Sequence, residues 1–239
     1  MKHLMFLPVY NQIEEFPLVL RELKAEKLPC DILLVNNGSR DGTEKLIHDS
    51  GFEFVDLEKN MGVGYAFMVA IRFALEKGYD TVGSMAGNGK MLASEMHRLV
   101  EPLESGIADY VTGSRFLPGG AYPNLPAFRR RAIPMVNVFV WMLTGRYLTD
   151  VTCGYRLFKT DIIRAARFDW EQPGLYTYGL EYYLYAEVVM SGKYRFLEVP
   201  VTMRYPPKGR RYSKIPPFSG WWQMLRPWLK ARFQRGGFN

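Results

Sequence analysis

Five short apolar runs alternate with helical patterns over the first 113 residues, and this alternation constrains the fold more than any other feature of the chain. Residues 3–9, 32–35, 52–57, 79–85 and 109–113 read as strands. Residues 14–27, 62–77 and 93–104 read as helices, with Phe16, Val19, Leu20 and Leu23 at helical spacing in the first of them. A shorter helix opens at Asp41-Gly42-Thr43. Buried strands joined to helices by short links predict an α/β fold, with a mostly parallel, Rossmann-like central sheet and helices on both faces. Ligands of such sheets bind at the carboxyl ends of the strands. Residues 8–11, 36–39 and 86–90 all follow strands and are expected on one rim. After Arg115 the texture changes. A Pro/Gly-rich loop over 117–124 leads to an apolar helix over 128–143, headed by Arg129, Arg130 and Arg131, then a helix over 175–190 and a strand over 194–199.

Two cysteines, Cys30 and Cys153, are too few for a disulfide framework or a zinc site and are expected as reduced core thiols. No run approaches the ~18–20 apolar residues of a spanning helix. The apolar run at the N-terminus is too short for a secretory signal, so a cytoplasmic enzyme or binding domain is expected. Charge is unevenly placed. Residues 199–239 hold nine cations and no acid, whereas the preceding 198 residues carry 22 basic against 24 acidic side chains. A basic, aromatic tail can face phosphates or an anionic membrane. Nucleic acid is disfavoured as a partner, because no recognised nucleic-acid motif accompanies the charge.

The run Leu7-Pro8-Val9-Tyr10-Asn11, followed by Leu34-Val35-Asn36-Asn37-Gly38-Ser39-Arg40-Asp41-Gly42-Thr43, resembles the family 2 glycosyltransferases. Within them it is most similar to the polyprenyl-phosphate sugar synthases typified by dolichyl-phosphate mannose synthase. Further matches follow in order: Asn60-Met61-Gly62-Val63-Gly64, Gly113-Ser114-Arg115-Phe116, Gly119-Gly120, Asp150-Val151-Thr152-Cys153-Gly154-Tyr155-Arg156, Glu198-Val199-Pro200-Val201 and Ser213-Lys214. The resemblance implies the GT-A fold over residues 1–215, with a nucleotide-binding half at 1–115 and an acceptor half at 116–215. It also implies inverting transfer of a sugar from a nucleotide-sugar donor to a polyprenyl phosphate, a glycan or another small acceptor. A degenerate, sugar-nucleotide-binding protein of the same fold is the alternative.

Two departures stand out. The family carries Asp-x-Asp after its fourth strand to hold a divalent metal, and Ala86 and Asn88 stand there instead. Magnesium and manganese prefer charged oxygen ligands, so the substitution puts that cofactor in doubt and leaves no metal ligands to assign. The family's Asp-Asp-Gly-Ser likewise becomes Asn36-Asn37, which removes an acid that accepts from the nucleobase.

By the resemblance, Pro8, Tyr10 and Asn37 contact the base, and Gly62, Gly64 and Asn88 lie on the nucleotide side. The glycines can equally serve to turn the chain into a helix. Arg115 takes the phosphate-contacting position. Lys90 is either a solvated lysine or the positive charge that replaces the metal. Glu181 is the candidate general base, which a hydroxyl acceptor needs and an ionised lipid phosphate does not. Asp150, Arg156 and Lys214 fall on the acceptor side, and Asp150 and Arg156 can alternatively form a structural ion pair. Residues 216–239 read as a basic amphipathic helix, either folded back on the domain or lying in a membrane interface. Peripheral membrane contact is accordingly expected through 204–238.

Overall fold

A computed structural model describes residues 1–166, 170, 175–177, 179–206 and 219–233. Strand β1 (His3–Val9) is an interior strand of its sheet, and every residue of it but Pro8 is buried. Alternate side chains of β1 feed two cores: Leu4 and Phe6 face one, and Met5, Leu7 and Val9 the other. Strand β2 (Asp31–Asn36) does the same with Leu33 and Val35 against Ile32 and Leu34. A strand buried on both sides has to be apolar on both, which is why these runs lack polar alternation.

The other strands are β3 (Glu53–Asp56), β4 (Thr81–Ser84), β5 (Tyr110–Ser114), β6 (Arg156–Lys159) and β7 (Phe196–Pro200), in the order β3-β2-β1-β4-β6-β5-β7. Pairings are parallel except that β6 runs antiparallel to both β4 and β5. The expected mostly parallel sheet is present, with β6 as its reversed member.

Helices α3 (Val63–Glu76), α5 (Ala127–Thr144), α6 (Asp161–Arg164), α7 (Gly179–Ser191) and α8 (Ser219–Phe233) pack on the first core. Helices α1 (Phe16–Ala25), α2 (Thr43–His48) and α4 (His97–Glu104) pack on the second. The single helix expected over 93–104 divides into a 3-10 turn, Ala93–Glu95, and α4. Cys30 and Cys153 are free and buried, and burial pushes both thiols up to about 12. No described helix is long and apolar enough to cross a membrane.

Of the two fates open to the C-terminal helix, packing on the domain is observed for its described part. Trp228 of α8 is fully buried, with its ring edge-on to Tyr185 of α7 at 5.1 Å. Trp221 meets Phe128 of α5 at 6.3 Å.

Candidate active site

The carboxyl ends of β1, β2 and β4 lie side by side, with Val9 opposite Asn36 and Phe6 opposite Ser84. The loops that leave them are knitted together as the rim predicts. Asn11 adopts a left-handed φ of 46°, held there because its N–H donates to Ser39 Oγ (3.1 Å) and its Oδ1 accepts from the Arg40 N–H (2.9 Å). Asn36 is consumed by structure: its Nδ2 donates to Asp56 and its Oδ1 accepts from the Ser39 N–H. Asn37 differs. Its N–H donates to Val9 O, and its Oδ1 accepts from the Met61 N–H at 3.0 Å. A backbone N–H can only donate, so this contact fixes the amide and makes Nδ2 the group left to meet a ligand. Pro8 and Tyr10 sit half-buried on the same rim. Sequence reasoning passed over Gln12, whose buried Oε1 finds no partner among the described residues. A Cβ on Gly87 would lie 2.9 Å from it.

Of the two roles open to Gly62 and Gly64, the packing supplies a reason for the structural one. The Gly62 N–H donates to Asn60 Oδ1 (2.9 Å), and the Gly64 N–H to Thr177 O (2.5 Å). A Cβ on either glycine would collide with a carbonyl oxygen of Tyr176 or Leu175. These glycines admit the 175–177 segment against the start of α3, and their amides are already bonded to protein.

Ala86 and Asn88 open the loop after β4. The Ala86 N–H meets Met91 Sδ (3.2 Å), and Asn88 Oδ1 accepts from the Lys90 N–H (3.3 Å). No group of three or more His, Cys, Asp or Glu side chains capable of holding a metal occurs among the described residues. A neutral amide oxygen beside an alanine does not fit a hard divalent cation.

Behind the rim lies the segment from Asp150 to Arg156. Asp150 and Arg156 do not pair with each other, so the ion pair weighed as an alternative to an acceptor-side role is absent, and each has another partner. Asp150 Oδ2 and Oδ1 accept from Arg115 Nε and Nη2, both at 2.6 Å, and Oδ2 also accepts from the Arg115 backbone N–H. Arg115 Nη2 further donates to Thr152 Oγ1 (2.5 Å), and Nη1 to the Tyr205 hydroxyl. The two side chains are 1% and 0% exposed. Burial disfavours the Arg115 charge, but Asp150 outweighs it and raises the guanidinium pKa. The whole Arg115 fork is thus engaged within the protein.

Arg156 pairs instead with Glu181 of α7 at 3.0 Å, an ionic contact without hydrogen-bond alignment. Its guanidinium lies 4.3 Å from the Tyr185 ring centre and 5.0 Å from that of Tyr182. Arg156 is wholly buried, so it is closed off from an acceptor, whereas Glu181 keeps 13% of its side chain exposed. Burial raises the Glu181 pKa, and Arg156 only partly offsets that. A third acid, Glu198, is a support that sequence reasoning met only as part of a motif. It accepts from Thr149 N–H, Thr149 Oγ1 and Asp150 N–H, and so holds the Asp150 loop. Lys214 lies outside the described residues.

A mostly parallel sheet with a polar rim over β1, β2 and β4 and an antiparallel β6 feeding the second half is the scaffold of a GT-A glycosyltransferase. The model of glycosyl transferase family 2 matches residues 5–170, and the chain belongs to that family. It is 33% identical over 208 residues to an undecaprenyl-phosphate mannosyltransferase of Micrococcus luteus, covering 84% of this chain and 83% of that one. It is 28% identical over 205 residues to a polyprenol monophosphomannose synthase of Mycolicibacterium smegmatis, covering 83% and 76%. Among solved structures, glucosyl-3-phosphoglycerate synthase from Mycobacterium tuberculosis, in complex with Mn2+, UDP-glucose and phosphoglyceric acid, superposes with a TM-score of 0.68. That likeness covers 97% of this chain and 79% of the other at 15% identity, and concerns the fold alone.

Proposed function

We propose that the chain transfers a sugar from a nucleotide-sugar donor to a polyprenyl phosphate held at a membrane surface. The observation that carries the acceptor side is the outward face of α5. Phe128, Met135, Val138, Trp141 and Met142 are exposed along it, Met135 by 72% and Met142 by 70%. Exposed arginines stand at both ends, Arg130 and Arg131 at the start and Arg146 just beyond, and residues 110–149 contain no acid. Trp222 and Phe233 of the neighbouring α8 are exposed as well. An apolar patch rimmed by cations suits the interface of an anionic bilayer. The first turn of α5 also carries Arg129, whose charge acts on Lys90 at the rim. In this reading a lipid lying along α5 has its phosphate near Arg129. Undecaprenyl-phosphate and polyprenol specificities among the relatives point the same way.

The chemistry is a displacement. A phosphate oxygen of the lipid attacks the sugar's anomeric carbon, the bond from that carbon to the donor's diphosphate breaks, and the nucleoside diphosphate leaves with the electron pair. The attacking oxygen is already ionised, so no general base is required. In this reading Arg115 and Asp150 position the floor of the site, and Glu181 with Arg156 supports the acceptor side.

Membrane contact extends the expectation for 204–238 onto α5. Met135→Glu together with Met142→Glu is expected to reduce cosedimentation with anionic liposomes strongly while leaving nucleotide binding unchanged. Each cation near such a surface contributes about 1 kcal/mol, so binding by the native chain should fall steeply with salt. Equal recovery of native and doubly substituted protein on the vesicles would place the contact elsewhere.

On the donor side, Asn37 presents an amide NH2 where an aspartate would present an acceptor. Asn37→Asp keeps one oxygen for the Met61 N–H and turns the other into an acceptor for a base N–H. Hydrogen bonds to charged groups are worth about 1.5–3 kcal/mol against about 1 for neutral ones. The substitution is expected to shift the ratio of affinities toward uridine and guanosine diphosphates over cytidine diphosphate by about tenfold. An unchanged ratio would remove Asn37 from base recognition.

The proposal as a whole is tested by incubating the protein with polyprenyl phosphate and a panel of labelled nucleotide sugars. Label extracted into organic solvent for at least one donor is the expected result; label that stays aqueous for every donor contradicts it.

A further inference from the structure

We propose that Lys90, backed by Arg129, neutralises the donor's diphosphate in place of a divalent ion, an inference that rests on the nucleotide-sugar reading above. The loop after β4 offers no carboxylate at residues 86 and 88, so its residues cannot bridge a hard cation to phosphate oxygens. The same loop ends in Lys90, whose backbone is held on both sides. Lys90 O accepts from the Arg204 N–H at 2.7 Å, its own N–H bonds Asn88, and the following Met91 bridges to Met203. With its backbone clamped on both sides, Lys90 projects to the Tyr205 ring, where Nζ lies 5.7 Å from the centroid. Tyr205 in turn contacts Arg115 through its hydroxyl.

Tyr205 thus stands between Lys90 and Arg115, and the charges of Arg129 and Arg115 both act on Lys90, at the end of the rim loop that would face the diphosphate in this reading. Burial, then the fields of Arg129 and Arg115, push the Lys90 ammonium down to about 8, with Glu15 opposing them weakly. A corner that penalises its own positive charge is relieved by a bound anion, and the relief grows as the departing diphosphate gains charge. Arg115 is neutralised by Asp150 and engaged within the protein, so the proposal assigns the contact to Lys90 and Arg129. Lysine suits this task as a compact point charge with rotatable donors.

Calorimetric titration of uridine, guanosine and cytidine diphosphates near neutral pH, in EDTA and in excess manganese, tests the proposal. The native chain is expected to bind at least one of them, with affinities that agree within about twofold between the two conditions. Lys90→Ala and Lys90→Gln are each expected to weaken that binding about tenfold or more, or ~1.4 kcal/mol, without rescue by manganese. Lys90→Arg, which keeps the charge, should lose less. Thermal melts of each variant identify any loss that comes from unfolding. A loss of about tenfold in EDTA for the native chain overturns the inference while leaving the donor reading intact. Folded Lys90→Ala and Lys90→Gln proteins with native affinity overturn it as well. No binding of any nucleoside diphosphate in either condition overturns both the inference and the donor reading.

Discussion

Asp150→Ala is expected to lower the free energy of unfolding by about 3–5 kcal/mol, because it strands the Arg115 guanidinium in the interior without a counter-charge. Asp150 receives three hydrogen bonds from Arg115, and both side chains are shut away from solvent. The substitution also removes the acceptor for the Arg115 backbone N–H at the end of β5. Typical domains hold only about 5–15 kcal/mol in total, so the variant should approach the limit of folding at physiological temperature. Urea unfolding of the native chain, Asp150→Ala, Arg115→Ala and the double variant provides the check. Each single change should cost several kcal/mol and the double change clearly less than their sum, since removing the second partner relieves the stranded charge. Additive losses would mean that the two side chains do not act as a pair.

Trp228→Ala is expected to cost a further about 3–5 kcal/mol on its own, the range for emptying a large aromatic site in a packed core. Trp228 has no exposed surface and sits against Tyr185, which also stacks on Tyr110 of β5 at 5.6 Å. Removing the indole therefore uncouples α8 from α7 and, through Tyr185, loosens the sheet beneath. Trp222, exposed by 56% on the same helix, provides the internal control. Trp222→Ala should leave the urea midpoint nearly unchanged and weaken liposome binding. Similar stability losses from the two tryptophans would contradict the docked placement of α8.

The strands were legible because burial on both faces writes itself into the chain. The runs around Phe6 and Leu34 have no polar alternation, and only a central position in a covered sheet explains that. The reversed direction of β6 was not legible, since pairing direction is set by tertiary contacts and the four residues of β6 read alike either way. Ion-pair partners failed for a related reason. Asp150 and Arg156 are near in sequence, yet their partners are Arg115 and Glu181, brought in by β5 and α7.

The outward face of α5 was hidden for another reason. Apolar residues cover more than one side of that helix, and the sequence does not say which side the sheet takes. Ile133, Asn137 and Val140 turn inward and leave Met135, Val138 and Met142 outside. Gly62 and Gly64 read the same whether a phosphate or a backbone approaches, and here it is the backbone of residues 175–177. By contrast, the replacement of the metal-binding acids by Ala86 and Asn88, with Lys90 at the end of their loop, was fully visible in the residues themselves, and the structure adds the placement of Lys90 over the Tyr205 ring.

The acceptor is the centre of the account, and two lipids differing only in a phosphate test it most directly. Transfer from one nucleotide sugar would be measured to a polyprenyl phosphate and to the matching polyprenol, with native protein and Glu181→Gln. The account predicts product only from the phosphate, and a turnover that Glu181→Gln reduces by less than about tenfold per folded molecule, because an ionised oxygen needs no base. Transfer to the polyprenol, abolished about a hundredfold or more by Glu181→Gln, would contradict it and make Glu181 the general base of a hydroxyl-directed enzyme.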